Sequence, residues 1–164
     1  MMMETTLFYI LAAVTVLATL LAISEKHPVH AIVNLVTSFF ALAAIFFLLA
    51  APLIAMFEII IYAGAVMVLF LFVVMILDLG HPERAARPGL FHWLPAVLLI
   101  EVILASLLLL VSVRVGAPAA APTITVQDFA LTLFQRYGVA IEIISMQLLF
   151  AVVGALYLGR RRKP

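Results

Sequence analysis

Residues 57–77 read FEIIIYAGAVMVLFLFVVMIL. The run is long and apolar enough to cross a bilayer, whose hydrocarbon core of about 30 Å needs about 20 such residues in a helix. Yet it carries a carboxylate at Glu58, a phenol at Tyr62 and the small cluster Ala63, Gly64, Ala65. A helix in lipid has to satisfy every backbone group internally. An acid and a weak turn inside one therefore demand a physical reason.

The totals set the solvent. Of 164 residues, 68% are hydrophobic and 10% charged, with a net charge of +1; the mean hydropathy is +1.34. Soluble domains are about 45–50% apolar, so this composition predicts an all-α integral membrane protein. With no cysteine, the chain has no disulfides, thiolate-held iron–sulfur clusters or cysteine zinc sites. A redox centre of that kind belongs on another chain. The start, MMMETTLFYI, puts Glu4 ahead of the apolar core and Lys26 behind it. That is the reverse of a secretory signal, and the segment reads as a retained span.

Five spans follow. The first covers about 5–23 and ends at SEKHPVH. The next apolar run, 31–77, would be about 70 Å long as one helix, more than twice the membrane. Proline ends or kinks helices, so Pro52 divides it into spans at 31–51 and 53–77. Gly80 and Pro82 stop the third. A fourth covers 94–113 and breaks at GAPAAAPT. Residues 125–137 read as a short amphipathic interfacial helix, with capping-box spacing from Thr125 to Asp128. Gly138 hinges it into a fifth span at 139–158. The whole chain reads as one multi-pass membrane domain. Lys and Arg orient it by the positive-inside rule. With the C-terminus inside, that side collects Lys26, Arg84, Arg87, Arg160, Arg161, Arg162 and Lys163, against Arg114 and Arg136 outside. The expected orientation is N-terminus outside, C-terminus inside. The RRRK tail anchors topology on anionic lipid and is not a nucleic-acid patch.

Three carboxylates fall within spans: Glu58, Glu101 and Glu142. A charged acid at the bilayer centre costs on the order of 2.5–3.5 kcal/mol on insertion scales, so each has to face protein or water. Tyr62 follows Glu58 by four residues, which in an α-helix puts its hydroxyl within reach of the carboxyl. The pair serves either as helix–helix glue or in proton passage. Glu142, near the outer end of its span with Ser145 one turn on, is either an interfacial acid or part of a proton path. Glu101 divides between contact with another subunit and a proton path. Asp78 is a hydrated helix end. His27 and His30 are spaced i,i+3, and His81 and His92 lie in a loop; no acid cluster joins them, and no metal site is expected. The seven methionines read as packing. There is no phosphate loop, nucleophile triad or metal-ligand cluster, and hence no independent active site.

Ala63, Gly64 and Ala65 point in three directions, which thins the helix nearly all round at one level. Such a level allows close packing, and glycine also eases departure from α geometry. One departure is a π-bulge, an extra residue in one turn. Each residue turns a helix by about 100°, so making or removing a bulge rotates one half by that angle. Val66, Leu69 and Phe70 would then swing into or out of a water path while Glu58 stayed put. A simple close-packing point is the alternative.

At this stage the sequence resembles a known family. EIIIYAGAVMVLFLFVVMILDLG is similar to the third transmembrane helix of chain J of respiratory complex I, the NADH:quinone oxidoreductase, whose mitochondrial counterpart is the sixth NADH-dehydrogenase membrane subunit. HPVHAIVNL resembles the start of its second helix, and LTLFQRYGVAIEIISMQLLFAVVGA the entry and core of its fifth. The fourth span and the GAPAAAP loop match in character only. The resemblance implies a membrane-arm subunit that packs with the small K and A chains, the quinone-site H chain and the adjacent antiporter-like subunit, in lipid. It implies a prokaryotic inner (plasma) membrane location. FMN, iron–sulfur clusters and quinone would sit elsewhere in the assembly, with no cofactor on this chain. It also implies a π-bulge around Tyr62 to Val66, whose conversion to α-helix opens a hydrated path toward the proton channels. On that basis Glu58, Tyr62 and Glu142 serve the path, and Tyr62 also supports the bulge. Tyr62, Ala63, Gly64, Ala65 and Val66 form the switch, and Val66, Met67, Leu69 and Phe70 the apolar gate. Two rivals remain: a module of a cation/proton antiporter or membrane-bound hydrogenase, and a passive assembly scaffold.

Overall fold

The computed structural model describes residues 2–78, 93–115 and 124–160. The stop at Gly80 and Pro82, His81 and His92, and the basic residues Arg84, Arg87, Arg161, Arg162 and Lys163 lie outside them. All regular structure among the described residues is helical: α1 (Met2–Ser24), α2 (Pro28–Leu48), α3 (residues 52–78), α4 (Leu94–Val115), α5 (Val126–Arg136) and α6 (Gly138–Gly159). All but α5 are long and apolar enough to cross a membrane. The third changes hydrogen-bond pattern midway: α over Pro52–Phe57, π over Glu58–Val66, then α again over Met67–Asp78.

Proline and small polar residues set the boundaries. Pro28 and Pro52 occupy the first turns of α2 and α3, where the missing N–H has no helical partner to lose. Between α1 and α2, Glu25 Oε1 accepts from the backbone N–H groups of Lys26 (3.0 Å) and His27 (3.3 Å). Partial burial pushes the Glu25 carboxyl upward. The two N–H bonds, with the charges of His30 and His27, outweigh it and hold the group below the ordinary carboxylate range. At the end of α2, Ala50 takes φ 59. Its N–H donates to Phe47 O (3.2 Å) and that of Ala51 to Phe46 O (3.0 Å). This is the left-handed cap that usually carries glycine.

The chain forms two compact units, Met1–Thr123 and Ile124–Pro164. In the first, α1 and α2 pair as an antiparallel hairpin. Leu11 and Val14 meet Ala41, Ala44 and Ile45, and Ile103 of α4 closes the cluster. Lipid gives helices no hydrophobic reason to associate, so close packing of small residues and polar contacts carry the pairing. Ala18 and Ala41 are fully buried. Ser38 Oγ lies 2.9 Å from Thr19 Oγ1 and 3.2 Å from Thr15 O, and Thr19 Oγ1 donates to Thr15 O at 2.8 Å. Two hydroxyl protons serve three contacts, so Thr19 bonds its own backbone while Ser38 bridges the helices. Helix α3 packs along α2, and α4 lies against α1 and α2.

In the second unit, Thr125 caps α5. Its Oγ1 accepts from Asp128 N–H (3.1 Å) and donates to Asp128 Oδ2 (2.6 Å). Tyr137 links α5 to α6. Helix α6 buries none of its residues.

Two outcomes follow for the chain in detergent micelles, read by circular-dichroism melting. Ala50→Gly removes the left-handed strain and stabilises by about 0.5–1 kcal/mol, the steric gain less glycine's larger unfolded entropy; destabilisation would show the cap is not populated. Glu25→Gln loses a contribution that is full at neutral pH and fades as pH falls through the lowered carboxyl pKa. The two melts should differ at pH 7 and coincide below about pH 3.

Candidate functional site: the widened turn of the third helix

The backbone register slides by one residue across the middle of α3. At its start, Glu58 N–H still reaches Ile54 O, four residues back. At its end, Met67 N–H reaches Tyr62 O, five back. The local sequence favours this. Ile59, Ile60 and Ile61 are β-branched and crowd an α turn. A Cβ on Gly64 would lie 3.2 Å from Ile59 O, five residues back, so that carbonyl would have to give by a few tenths of an ångström.

The slide is visible in which residues are buried. On α3 these are Ala55, Glu58, Ala63 and Met67, in steps of three, five and four. A regular helix repeats in threes and fours; the step of five spans the π segment. An α register, with Ala63 and Met67 held in place, would bury Met56 and Ile59 instead of Ala55 and Glu58. Both Met56 and Ile59 are now exposed.

This phase overturns the expected Glu58–Tyr62 pair. Glu58 is 8% exposed and Tyr62 is 49% exposed. In the widened turn, the residue above Glu58 is Ala63, not Tyr62. Tyr62 instead sets its ring 5.6 Å from that of Phe39 on α2, tilted by 42°. Nothing in the sequence singled out Phe39. Among the described residues, the Glu58 carboxyl has no hydrogen-bond or ionic partner.

Beside the turn lies a cavity of about 420 Å³ between α2, α3 and α4. Ala63, Met67, Val68 and Leu71 form its α3 wall, with Val36 and Phe40 opposite and Ile103 and Leu107 on the third side. Its lone polar side chain is Thr37, whose hydroxyl is spent on Val33 O at 2.9 Å. The cavity is half open, and its lining offers water no free polar partner. The residues expected to act together as a gate are spread around the helix. Met67 faces this cavity, Phe70 lines a second of about 330 Å³ with Thr19 and Ile32, and Val66 and Leu69 are 44% and 65% exposed and line neither.

The other acids stand apart. Glu101 is exposed on α4 and Glu142 on α6. Ser145 gives its proton to Ile141 O (3.0 Å), not to Glu142. His30 is buried with its ring 4.4 Å from Trp93 and 5.9 Å from His27. Among the described residues, no three His, Cys, Asp or Glu side chains converge as metal ligands would.

A family model described as NADH-ubiquinone/plastoquinone oxidoreductase chain 6 matches residues 18–158. The chain belongs to this family. Curated chain 6 relatives align along nearly the whole length. One from Pseudomonas aeruginosa, named NADH-quinone oxidoreductase subunit J, is 39% identical over 160 residues, covering 94% of this chain and 95% of the relative. The protein of the same name from Escherichia coli K12 is 38% identical over 167 residues, covering 95% and 86%. That from Rhodobacter capsulatus is 35% identical over 171 residues, covering 95% and 81%. The widened turn and its unpartnered acid lie inside the stretch that matches the chain 6 model.

The ring, not the hydroxyl, ties Tyr62 to α2. Tyr62→Phe should leave thermal stability in micelles within about 0.5 kcal/mol of the parent, whereas Phe39→Ala should lose about 0.5–1.5 kcal/mol beyond its lost area. A large loss in Tyr62→Phe alone would reveal a hydroxyl partner and refute this assignment.

Proposed function

We propose that this chain is the subunit J component of a proton-translocating NADH:quinone oxidoreductase, and that the π segment of α3 is its conformational switch. The observation that carries the reading is the five-residue step in the buried face of α3, with an acid at one end and glycine next to the other. The shared names of the relatives support the assembly. Electron transfer from NADH to quinone, with FMN and iron–sulfur clusters, belongs to other subunits. The chain sits in the bacterial plasma membrane with its N-terminus outside and C-terminus inside, packed against the K, A and H chains and the neighbouring antiporter-like subunit. Residues 125–137 lie along the interface.

The mechanism follows from the phase of α3. In the π form Glu58 faces the bundle and the adjoining cavity offers water no free polar partner, so no water chain crosses it. Conversion to α turns residues 52–58 by about 100° against the rest. Glu58 leaves the buried face, Ile59 enters it, and Ala63 and Met67 repack at the cavity. The change re-pairs the backbone groups of the segment and differs by about one hydrogen bond, so few groups are stranded in lipid. Tyr62, held by Phe39, and the Ala63–Val66 segment form the pivot. Val66, Leu69 and Phe70 meet partner subunits and gate the path there. Glu142 serves the path near its outer end.

Gly64→Ala tests this in the assembled complex. Its Cβ crowds Ile59 O only in the π form, and a penalty of about 1 kcal/mol shifts a two-state ratio by about five-fold. Assembly and flavin-site activity with an artificial acceptor should be unchanged. Coupled NADH:quinone turnover should fall several-fold, and Gly64→Leu should fall further. Full coupled turnover in both variants, with normal assembly, would leave the chain a scaffold.

A further inference from the structure

The inward face of α2 begins with polar residues. His30, Asn34 and Ser38 succeed one another at steps of four and are 6%, 5% and 5% exposed. Farther along, the same face becomes Ala41 and Ile45, packed with Leu11, Val14 and Ile103. The polar part spans eight residues, about 12 Å of helix. At its deep end, Ser38 is joined to Thr19 and Thr15 of α1. At its shallow end, the His30 ring meets that of Trp93 at 4.4 Å, tilted by 48°, about one turn from Glu25, Lys26 and His27, where the chain turns between helices. Between the two ends is Asn34, whose Oδ1 is fully buried with no hydrogen-bond donor among the described residues.

A buried amide oxygen left without a donor costs about 1–3 kcal/mol. Lipid offers no donor from outside, and Asn34 is too enclosed to reach the membrane boundary itself. The Cβ atoms of residues one turn apart on a helix face lie about 5–6 Å apart, which places their polar side-chain atoms within reach of one bridging water with hydrogen bonds of about 2.8 Å. One water between Asn34 and the Ser38–Thr19 pair, or between Asn34 and His30, fits that interval. It would also find the two to four polar partners an internal water needs.

We propose that Asn34 anchors an internal hydration site. Its Oδ1 accepts a hydrogen bond from a buried water that links the Thr15–Thr19–Ser38 seam to the His30 end of α2. The α1–α2 interface thus holds a short polar file that enters from the His30–Trp93 boundary and ends blind at the dry Leu11–Ala41–Ile103 layer. The file lies on a different helix from the widened turn of α3 and does not depend on its switching.

A density map of the intact complex at about 2.5 Å or better, where ordered waters are resolved, reads the site directly. A solitary peak within hydrogen-bond distance of Asn34 Oδ1 is the expected result. A donor side chain from a neighbouring subunit at that position would make Asn34 an interface residue and overturn the proposal. An oxygen with nothing in reach would overturn it as well. In a map of Asn34→Leu, the peak should be lost while the Thr19–Ser38 contact remains. A water that persists beside the leucine would remove Asn34 as its anchor.

Discussion

A peptide group in lipid has no water to turn to. Every N–H and C=O of α3 must find its partner within the helix, and this requirement limits how the helix can move. A break or hinge would strand several groups in hydrocarbon. A slide of the hydrogen-bond register by one residue leaves about one carbonyl without a helical donor, because every other group exchanges one partner for the next. The π segment over Glu58–Val66 is such a slide. Gly64 lies within it, and a Cβ there would stand 3.2 Å from Ile59 O. The buried position of Glu58, the contact of Tyr62 with Phe39 and the apolar cavity beside Ala63 and Met67 all follow from where the register moves.

The surroundings suit a helix with one mobile joint. Helices α1, α2 and α4 share a core of interlocked alanine, leucine and isoleucine side chains, with hydroxyl contacts between α1 and α2. Such a core resists rotation. Helix α3 packs chiefly on α2, so it can turn on its axis without dismantling the hairpin. The apolar cavity on its other flank gives Met67 and Leu71 room to repack.

Much of this was legible in the residues. Length and apolarity gave the five long helices, and Pro52 the break between the second and third; the Ala63–Gly64–Ala65 cluster permitted the π segment, and the family resemblance implied it. What escaped was phase. Pairing Glu58 with Tyr62 assumed α spacing across the one place where α spacing fails. The widened turn also begins at Glu58, four residues before the Tyr62 start implied by the resemblance. Phe39 could not be found from sequence, because an aromatic in an apolar helix carries no sign of the ring it will meet. Asn34 was equally silent: a polar residue at the right step to join His30 and Ser38 shows its lack of a donor only once neighbouring helices close around it.

The five-residue step has a genetic corollary. Loss of a single codon between Ile59 and Tyr62 would shorten that step to four, a spacing that an ordinary helix accommodates. Both flanking faces would keep their present orientation, with Glu58 still inward and Ala63 and Met67 still against the cavity. The spare residue stored in the wide turn would be gone. Such a deletion would preserve the orientation of both faces while abolishing the second state proposed for the helix, something no side-chain replacement in the segment can do.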